Sequence, residues 1–330
     1  MAVLIRMSEP SVSVLTPVYN GEQYLAECIE SVLAQDYRRL EYTIVNNCST
    51  DRTLEIAEGY AKKDSRVQVV TNTAFVSAIK NHNAAFRLVP RHCKYCKVVS
   101  ADDWISPSCV SKMVRFAEAH PTVGIVGCYQ RSGETVKWRG VPPTVTVLSG
   151  RDAARLGLVE GVHVLGTPTS VLYRSDLLRV TPAFFPHPRS HADTSACYEA
   201  FRHCDFGFLH EVLAVERVHP GQWSTAMDVL DAGSVAYLEI LLQYGPLYLR
   251  EPEFAARKKQ VFEAYYRSLG GCVLKLKGRD FWTFQQLRLR EMGCEIDWAR
   301  VAKATLREAV VEAKNPVTAL RKVVAVLKRI

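Results

Sequence analysis

Nowhere in this chain do apolar residues run for the roughly 18 positions that span a bilayer. Met1-Ala2-Val3-Leu4-Ile5-Arg6 is a brief apolar opening with no long hydrophobic region and no cleavage site, so no secretory signal is expected and the chain reads as cytoplasmic. No Gly-x-Gly-x-x-Gly follows the first predicted strand and there is no Walker loop, which excludes ordinary dinucleotide-binding and P-loop folds. The ten cysteines are scattered, and Cys28, Cys109 and Cys128 sit inside apolar patterns as reduced core thiols do. Cys93-Lys94-Tyr95-Cys96, with His92 before it, is the one close pair; without a second pair at suitable spacing it predicts no zinc site. Lysine and arginine outnumber aspartate and glutamate by 42 to 34, a net charge of +8. That balance suits an anionic substrate or an acidic membrane surface, and no recognised motif supports nucleic acid.

What is present is a regular alternation in the first half. Ser11–Thr16 is β-branched and reaches a breaker at Pro17. Gly21 then opens a helix whose apolar positions Leu25, Cys28, Ile29, Val32 and Leu33 recur at helical spacing. Glu41–Val45, Val67–Val70, Lys97–Ala101 and Val123–Cys128 read as further strands. Helices are predicted from Leu54, over residues 77–88, and from Pro107 to about His120. This rhythm predicts an α/β fold with a mostly parallel sheet covered by helices on both faces.

Three polar turns fall at predicted strand ends: Pro17-Val18-Tyr19-Asn20, Asn46-Asn47 and Asp102-Asp103. The ends of parallel strands share one rim, which is where ligands bind in open α/β sheets. Adjacent carboxylates repel each other, so a strand end that carries two suits a divalent cation holding a diphosphate. Taken singly, the acidic pair is equally an exposed turn with a helix cap, and Tyr19 or Asn47 is equally packing or turn geometry.

The ordered set is more specific than its members. Ser13–Gly21 with Leu25 to Gln35, Ile44–Thr53 with its Asn46-Asn47-Cys48-Ser49-Thr50-Asp51 core, Lys80–Ala85, and Ser100–Asp103 resemble in sequence the successive motifs of the family 2 glycosyltransferases, over roughly residues 11–220. The resemblance implies the GT-A fold and an inverting transfer from a nucleoside-diphosphate sugar, assisted by Mn2+ or Mg2+. It implies that Pro17, Val18, Tyr19, Asn47, Lys80, Asp102 and Asp103 bind the nucleotide sugar, with Asp103 and His219 on the metal. Asn46-Asn47 stands where the family usually has at least one Asp, which removes a negative charge near the base. Lys80 stands where Arg is commoner and keeps the charge without the bidentate fork.

A GT-A catalytic domain is expected over 1–222, its nucleotide-binding part over about 11–130 and its acceptor part over about 131–222. Gly166–Arg174 reads as a strand, and 181–190, with Pro182, Pro186 and Pro188, as a loop. His191-Ala192-Asp193-Thr194 leads into a helix, and the resemblance makes Asp193 the general base that takes the acceptor proton. On its own Asp193 would be a helix cap. Arg217-Val218-His219 resembles the family's Arg-x-His segment, 26 residues beyond Asp193.

Beyond residue 223 the chain reads helical, around 253–276, 279–292, 298–312 and 316–329, and these helices could add a homodimer interface. The last is basic and amphipathic, so it suits peripheral contact with the inner membrane face or docking on the domain. A glycan, a lipid-linked or a small-molecule hydroxyl remains open as acceptor. Two other readings stand beside the transferase: a non-catalytic nucleotide-sugar binder and a nucleotidyltransferase.

Overall fold

The computed structural model describes residues 9–161, 164–186, 191–222 and 227–313. It divides into two compact units, with the break between His219 and Pro220.

In the first unit, β1 (Ser11–Val18) is buried along its whole length, as a central strand covered on both faces must be. Then follow α1 (Leu25–Leu33), β2 (Leu40–Asn46), α2 (Thr53–Ala61), β3 (Val67–Thr71), α3 (Ala78–Arg87) and β4 (Cys93–Val98). Leu25, Cys28, Ile29 and Val32 form the buried stripe of α1 that the periodicity predicts. After β4 come β5 (Trp104–Ile105), α4 (Cys109–Ala119), β6 (Val123–Ser132), β7 (Thr135–Lys137), β8 (Val147–Leu148), α5 (Gly150–Glu160), β9 (Val171–Arg174), α6 (Ala192–Ala200) and β10 (Asp205–Glu216).

The strands lie in the order β3-β2-β1-β4-β9-β6-β10-β5, with β7 beside β6 and β8 beside β10. β3, β2, β1 and β4 are mutually parallel, and β6 runs parallel to β10. Between these blocks β9 is antiparallel to both neighbours, so the sheet is mixed beyond β4. Strand β4 ends at Val98, earlier than predicted, because the Asp103 amide donates to the Ser100 carbonyl and closes a turn (3.0 Å). Only the last four residues of Gly166–Arg174 are strand; Pro168–Ser170 form a 3-10 turn. Residues 181–186, with Pro182 and Pro186, form no regular element, whereas Pro188 lies outside the described residues.

The core joins Val12, Val14, Tyr42 and Ile44 of the sheet to the apolar faces of α1 and α4. Tyr42 is fully buried, and its hydroxyl is satisfied by Thr16 Oγ1 at 2.9 Å.

The second unit contains α7 (Ala232–Tyr248), α8 (Glu251–Leu274), α9 (Arg279–Glu291) and α10 (Trp298–Ala313). The last three match predicted helices within a few residues; the predicted helix at 316–329 lies outside the described residues. Gly270 lets α8 approach α10 closely, since a Cβ there would stand 2.7 Å from the backbone of Ala304 and Thr305. Among the described residues no helix is long and apolar enough to cross a membrane.

Candidate active site

The parallel register sets Val18 beside Asn46 and Leu15 beside Val98. The three polar turns therefore emerge along one rim, as the strand order requires. Much of the motif chemistry there is architectural. Gly21 N donates to Thr53 Oγ1 (2.7 Å), Glu22 N to Asp51 Oδ2 (3.0 Å) and Thr50 N to Asn20 Oδ1 (2.8 Å). These bonds lock the turn after β1 onto the start of α2. Asn20 and Cys48 hold positive φ values of 49° and 57°, which places the two turns in left-handed conformations.

Asp103 is only 4% exposed, and both its oxygens are taken. Oδ2 accepts from the Thr169 hydroxyl at 2.6 Å, and Oδ1 from the Arg217 backbone N–H at 3.2 Å. Burial, and then repulsion from Asp102, pushes its carboxyl up to about 7 against the lowering effect of these two bonds. Asp102 is more accessible, and its Oδ2 lies 3.1 Å from His219 Nε2. The structure thus brings together Asp102 and His219, where the sequence reading expected Asp103 and His219. Hydrogen bonding explains the exchange: the chain reaches Asp103 through the Arg217 amide, and His219, two residues on, meets the neighbouring carboxylate.

Arg217 closes this corner. Its guanidinium lies over the rings of Tyr24 (4.6 Å) and Trp104 (4.8 Å), its Nε donates to the Asp102 carbonyl (3.2 Å), and it pairs with Glu27. Tyr24 also packs on the His219 ring at 4.8 Å. Fully buried Lys97 donates from Nζ to the Thr169 carbonyl and to the Val171 carbonyl (3.2 Å), and burial lowers its pKa. Neither Lys97 nor Thr169 stood out in the sequence, although a lysine inside an apolar strand run was an available signal.

A carboxylate and an imidazole side by side, backed by a second carboxylate under repulsion, are donors that fit Mg2+ or Mn2+. Among the described residues Asp102, Asp103 and His219 do not converge as a three-ligand set.

The other predicted residues are distributed along the rim. Pro17 and Val18 are buried at the end of β1, with Val18 in the core; the Val18 carbonyl accepts the Asn47 amide at 2.8 Å. Asn47 was expected to offer its side chain to a base. It is buried instead, with Nδ2 on the Val76 carbonyl (2.7 Å) and Oδ1 accepting from Val76 N and Asn72 Nδ2 (both 3.0 Å). Its carbonyl oxygen therefore shapes the 72–76 turn, and one amide N–H is left over. Tyr19 is half exposed and packs on exposed Phe75, ring centroids 4.7 Å apart. Lys80 is exposed in the first turn of α3, while Asn81 and Asn83 of the same motif serve the fold through Val45 and Phe185.

Asp193 sits in the first turn of α6, half buried, with Oδ1 accepting from Thr194 N at 2.8 Å. Its charge acts on His82 of α3 and Tyr173 of β9. Among the described residues no hydrogen bond joins it to the Asp102–His219 pair.

Residues 13–180 match the model of glycosyl transferase family 2. The chain belongs to that family. It is 36% identical over 138 residues to the uncharacterized glycosyltransferase EpsJ of Bacillus subtilis (strain 168), covering 41% of this chain and 38% of EpsJ. It is 28% identical over 189 residues to the poly(ribitol-phosphate) beta-N-acetylglucosaminyltransferase TarS of Staphylococcus aureus (strain MW2), covering 55% of this chain and 30% of TarS. The chain spans well under half the length of such curated relatives.

Among solved structures, S. aureus TarS 1–349 in complex with UDP-GlcNAc has a TM-score of 0.58 at 20% identity, covering 78% of this chain and 72% of that one. The mannosyltransferase PcManGT of Pyrobaculum calidifontis, in complex with GDP-Man and Mn2+, has a TM-score of 0.55 at 18% identity, covering 91% and 87%. At such identities the likeness is one of fold, and that fold is GT-A. The family match includes Asn47, Lys80, Asp102 and Asp103, whereas Asp193, Arg217 and His219 lie beyond it.

Proposed function

We propose that this family 2 glycosyltransferase moves a sugar from a nucleoside-diphosphate sugar to a hydroxyl acceptor, inverting the anomeric carbon. The observation that carries the reading is the Asp102–His219 pair, 3.1 Å apart at the strand-end rim and backed by Asp103. Asp102 and His219 would hold a divalent cation; when bound, it supplies positive charge to the diphosphate leaving group. Arg217, held between Tyr24 and Trp104, adds fixed positive charge to the same corner. Tyr19 with Phe75 offers an aromatic surface for the base, and exposed Lys80 a point charge for phosphate.

Asp193 is the general base in this reading, taking the proton of the incoming hydroxyl. Its place in the first turn of α6 leaves one carboxylate oxygen beyond the Thr194 amide bond. A glycan, lipid-linked or small-molecule alcohol satisfies this chemistry equally.

The test is a donor screen beginning with UDP-GlcNAc and GDP-Man, with Mn2+ or with chelator, followed by product analysis. Release of nucleoside diphosphate with an inverted glycoside is expected. Asp102→Ala and Asp193→Asn should each lower transfer by about 100-fold or more. Release of pyrophosphate would identify a nucleotidyltransferase, and equal turnover in both variants would remove these residues from the chemistry. Tight donor binding without turnover, across a broad acceptor panel, would favour a non-catalytic binder.

A further inference from the structure

At the opposite edge of the parallel strands, three different metal-ligating side chains converge away from the candidate active site. Glu41 is the second residue of β2, and Cys93 is the first of β4, with His92 immediately before it. The strand between them, β1, sets Ser13 beside Glu41 and Ser11 beside Cys93. Small side chains therefore separate the two larger ones across that edge. One ligand atom from each of Glu41, His92 and Cys93 lies within 4.8 Å of the other two. His92 Nε2 is 2.5 Å from Glu41 Oε1.

We propose that Glu41, His92 and Cys93 form a site for a thiophilic divalent cation of the zinc class, separate from the transfer site. The donor set is one thiolate, one imidazole and one carboxylate, which is borderline-soft and suits Zn2+ over Mg2+ or Mn2+. Water completes four-coordination. His92 and Glu41 are open to solvent while Cys93 is buried behind them, so a cation enters from outside and reaches the sulfur last. Binding displaces the Cys93 thiol proton to solvent and replaces the His92–Glu41 hydrogen bond with two metal bonds. Burial and then the Glu41 carboxylate push the Cys93 thiol up to about 12, so the cation itself must draw off the proton. Arg39 and Arg179, whose charges act the other way, are tied elsewhere. Arg39 donates to Ser11 Oγ, and Arg179 donates to the Val89 and Pro90 carbonyls.

Cys96, the partner suggested by Cys-x-x-Cys spacing, is absent from the cluster. The third ligand comes from Glu41, 51 residues before His92. Glu41 is five residues before Asn46 at the opposite end of β2, about 17 Å along the strand. Occupancy is therefore independent of donor binding and of Asp102.

The experiment is Co2+ titration of the full chain, followed by displacement with Zn2+. The wild type should take up stoichiometric Co2+ with a near-ultraviolet thiolate-to-metal charge-transfer band, and Zn2+ should bleach it. Asp102→Ala should keep the band. Cys93→Ser should lose it, and His92→Ala, at an exposed side chain, should weaken Zn2+ affinity at least about tenfold. The proposal is overturned by a wild type without stoichiometric uptake, by loss of the band in Asp102→Ala, or by unchanged Zn2+ affinity in His92→Ala.

Discussion

The Thr169 hydroxyl donates to Asp103 at 2.6 Å, and it is the side chain that fixes the more buried of the two adjacent carboxylates. Thr169 is held in turn at its carbonyl by Nζ of Lys97, whose pKa burial lowers, so a buried lysine and a buried acid share one residue of the 3-10 turn before β9. Thr169→Val keeps the shape and removes both the donor to Asp103 and the acceptor of the Ser100 backbone N–H (3.1 Å). It should destabilise the first unit by about 1–3 kcal/mol, because a buried carboxylate oxygen is left without its partner. Urea unfolding checks this; a change well under 1 kcal/mol would show that water replaces the hydroxyl.

Arg217 offers a separate test at the same corner. Its stacking on Tyr24 and Trp104 is a pair of cation–π contacts, each worth about 0.5–2 kcal/mol where partly desolvated. Arg217→Lys retains charge but loses the planar group and the Nε–H that reaches the Asp102 carbonyl. Donor affinity, followed by nucleotide-dependent thermal shift, should fall about tenfold or more. Full affinity in the lysine variant would mean that charge alone matters here.

The pH dependence of stability has an identifiable contributor in His82. Burial lowers its pKa below the usual histidine value, opposed by its bond to the Ala78 carbonyl and by the charge of Asp193. Near the ordinary histidine pKa of about 6.5 the unfolded chain takes up a proton that the folded chain resists. Stability is therefore lost as pH falls through that range toward the depressed folded value, and it is regained as pH rises. His82→Phe preserves stacking on Phe185 and should flatten the loss between about pH 7 and pH 5. Parallel wild-type and variant curves in urea unfolding would contradict this.

These cases show what was legible in the sequence and what was not. The alternation from Ser11 to Cys128 was readable because apolar spacing reports which face of each element is covered, and the three polar turns were readable because Pro17, Asn47 and Asp102 each stand at or just past the end of an apolar run. The choice between Asp102 and Asp103 for His219 was not, since it depends on Thr169 and on the Arg217 amide, 66 and 114 residues from Asp103. Strand β9 has four residues after a turn and leaves no periodicity from which to infer its antiparallel entry. Asn47 illustrates a different limit. Its residue type permits base recognition, but the loop bringing Val76 onto its amide is specified by neither residue alone.

Two adjacent glycines in α8 should respond to the same substitution with opposite signs. An added Cβ at Gly270 would stand 2.7 Å from the backbone of Ala304 and Thr305 in α10, a separation that backbone atoms cannot relieve without moving the helix. An added Cβ at Gly271 meets nothing within 4 Å. Alanine is favoured over glycine in a helix interior by about 1 kcal/mol, so that gain applies to both positions. At Gly270 the forced separation of α8 and α10 typically costs about 1–3 kcal/mol and exceeds the gain, whereas at Gly271 no opposing contact exists. Thermal unfolding should accordingly show Gly270→Ala melting below the wild type and Gly271→Ala above it. Stabilisation by both would mean that the helices are not in close contact at Gly270.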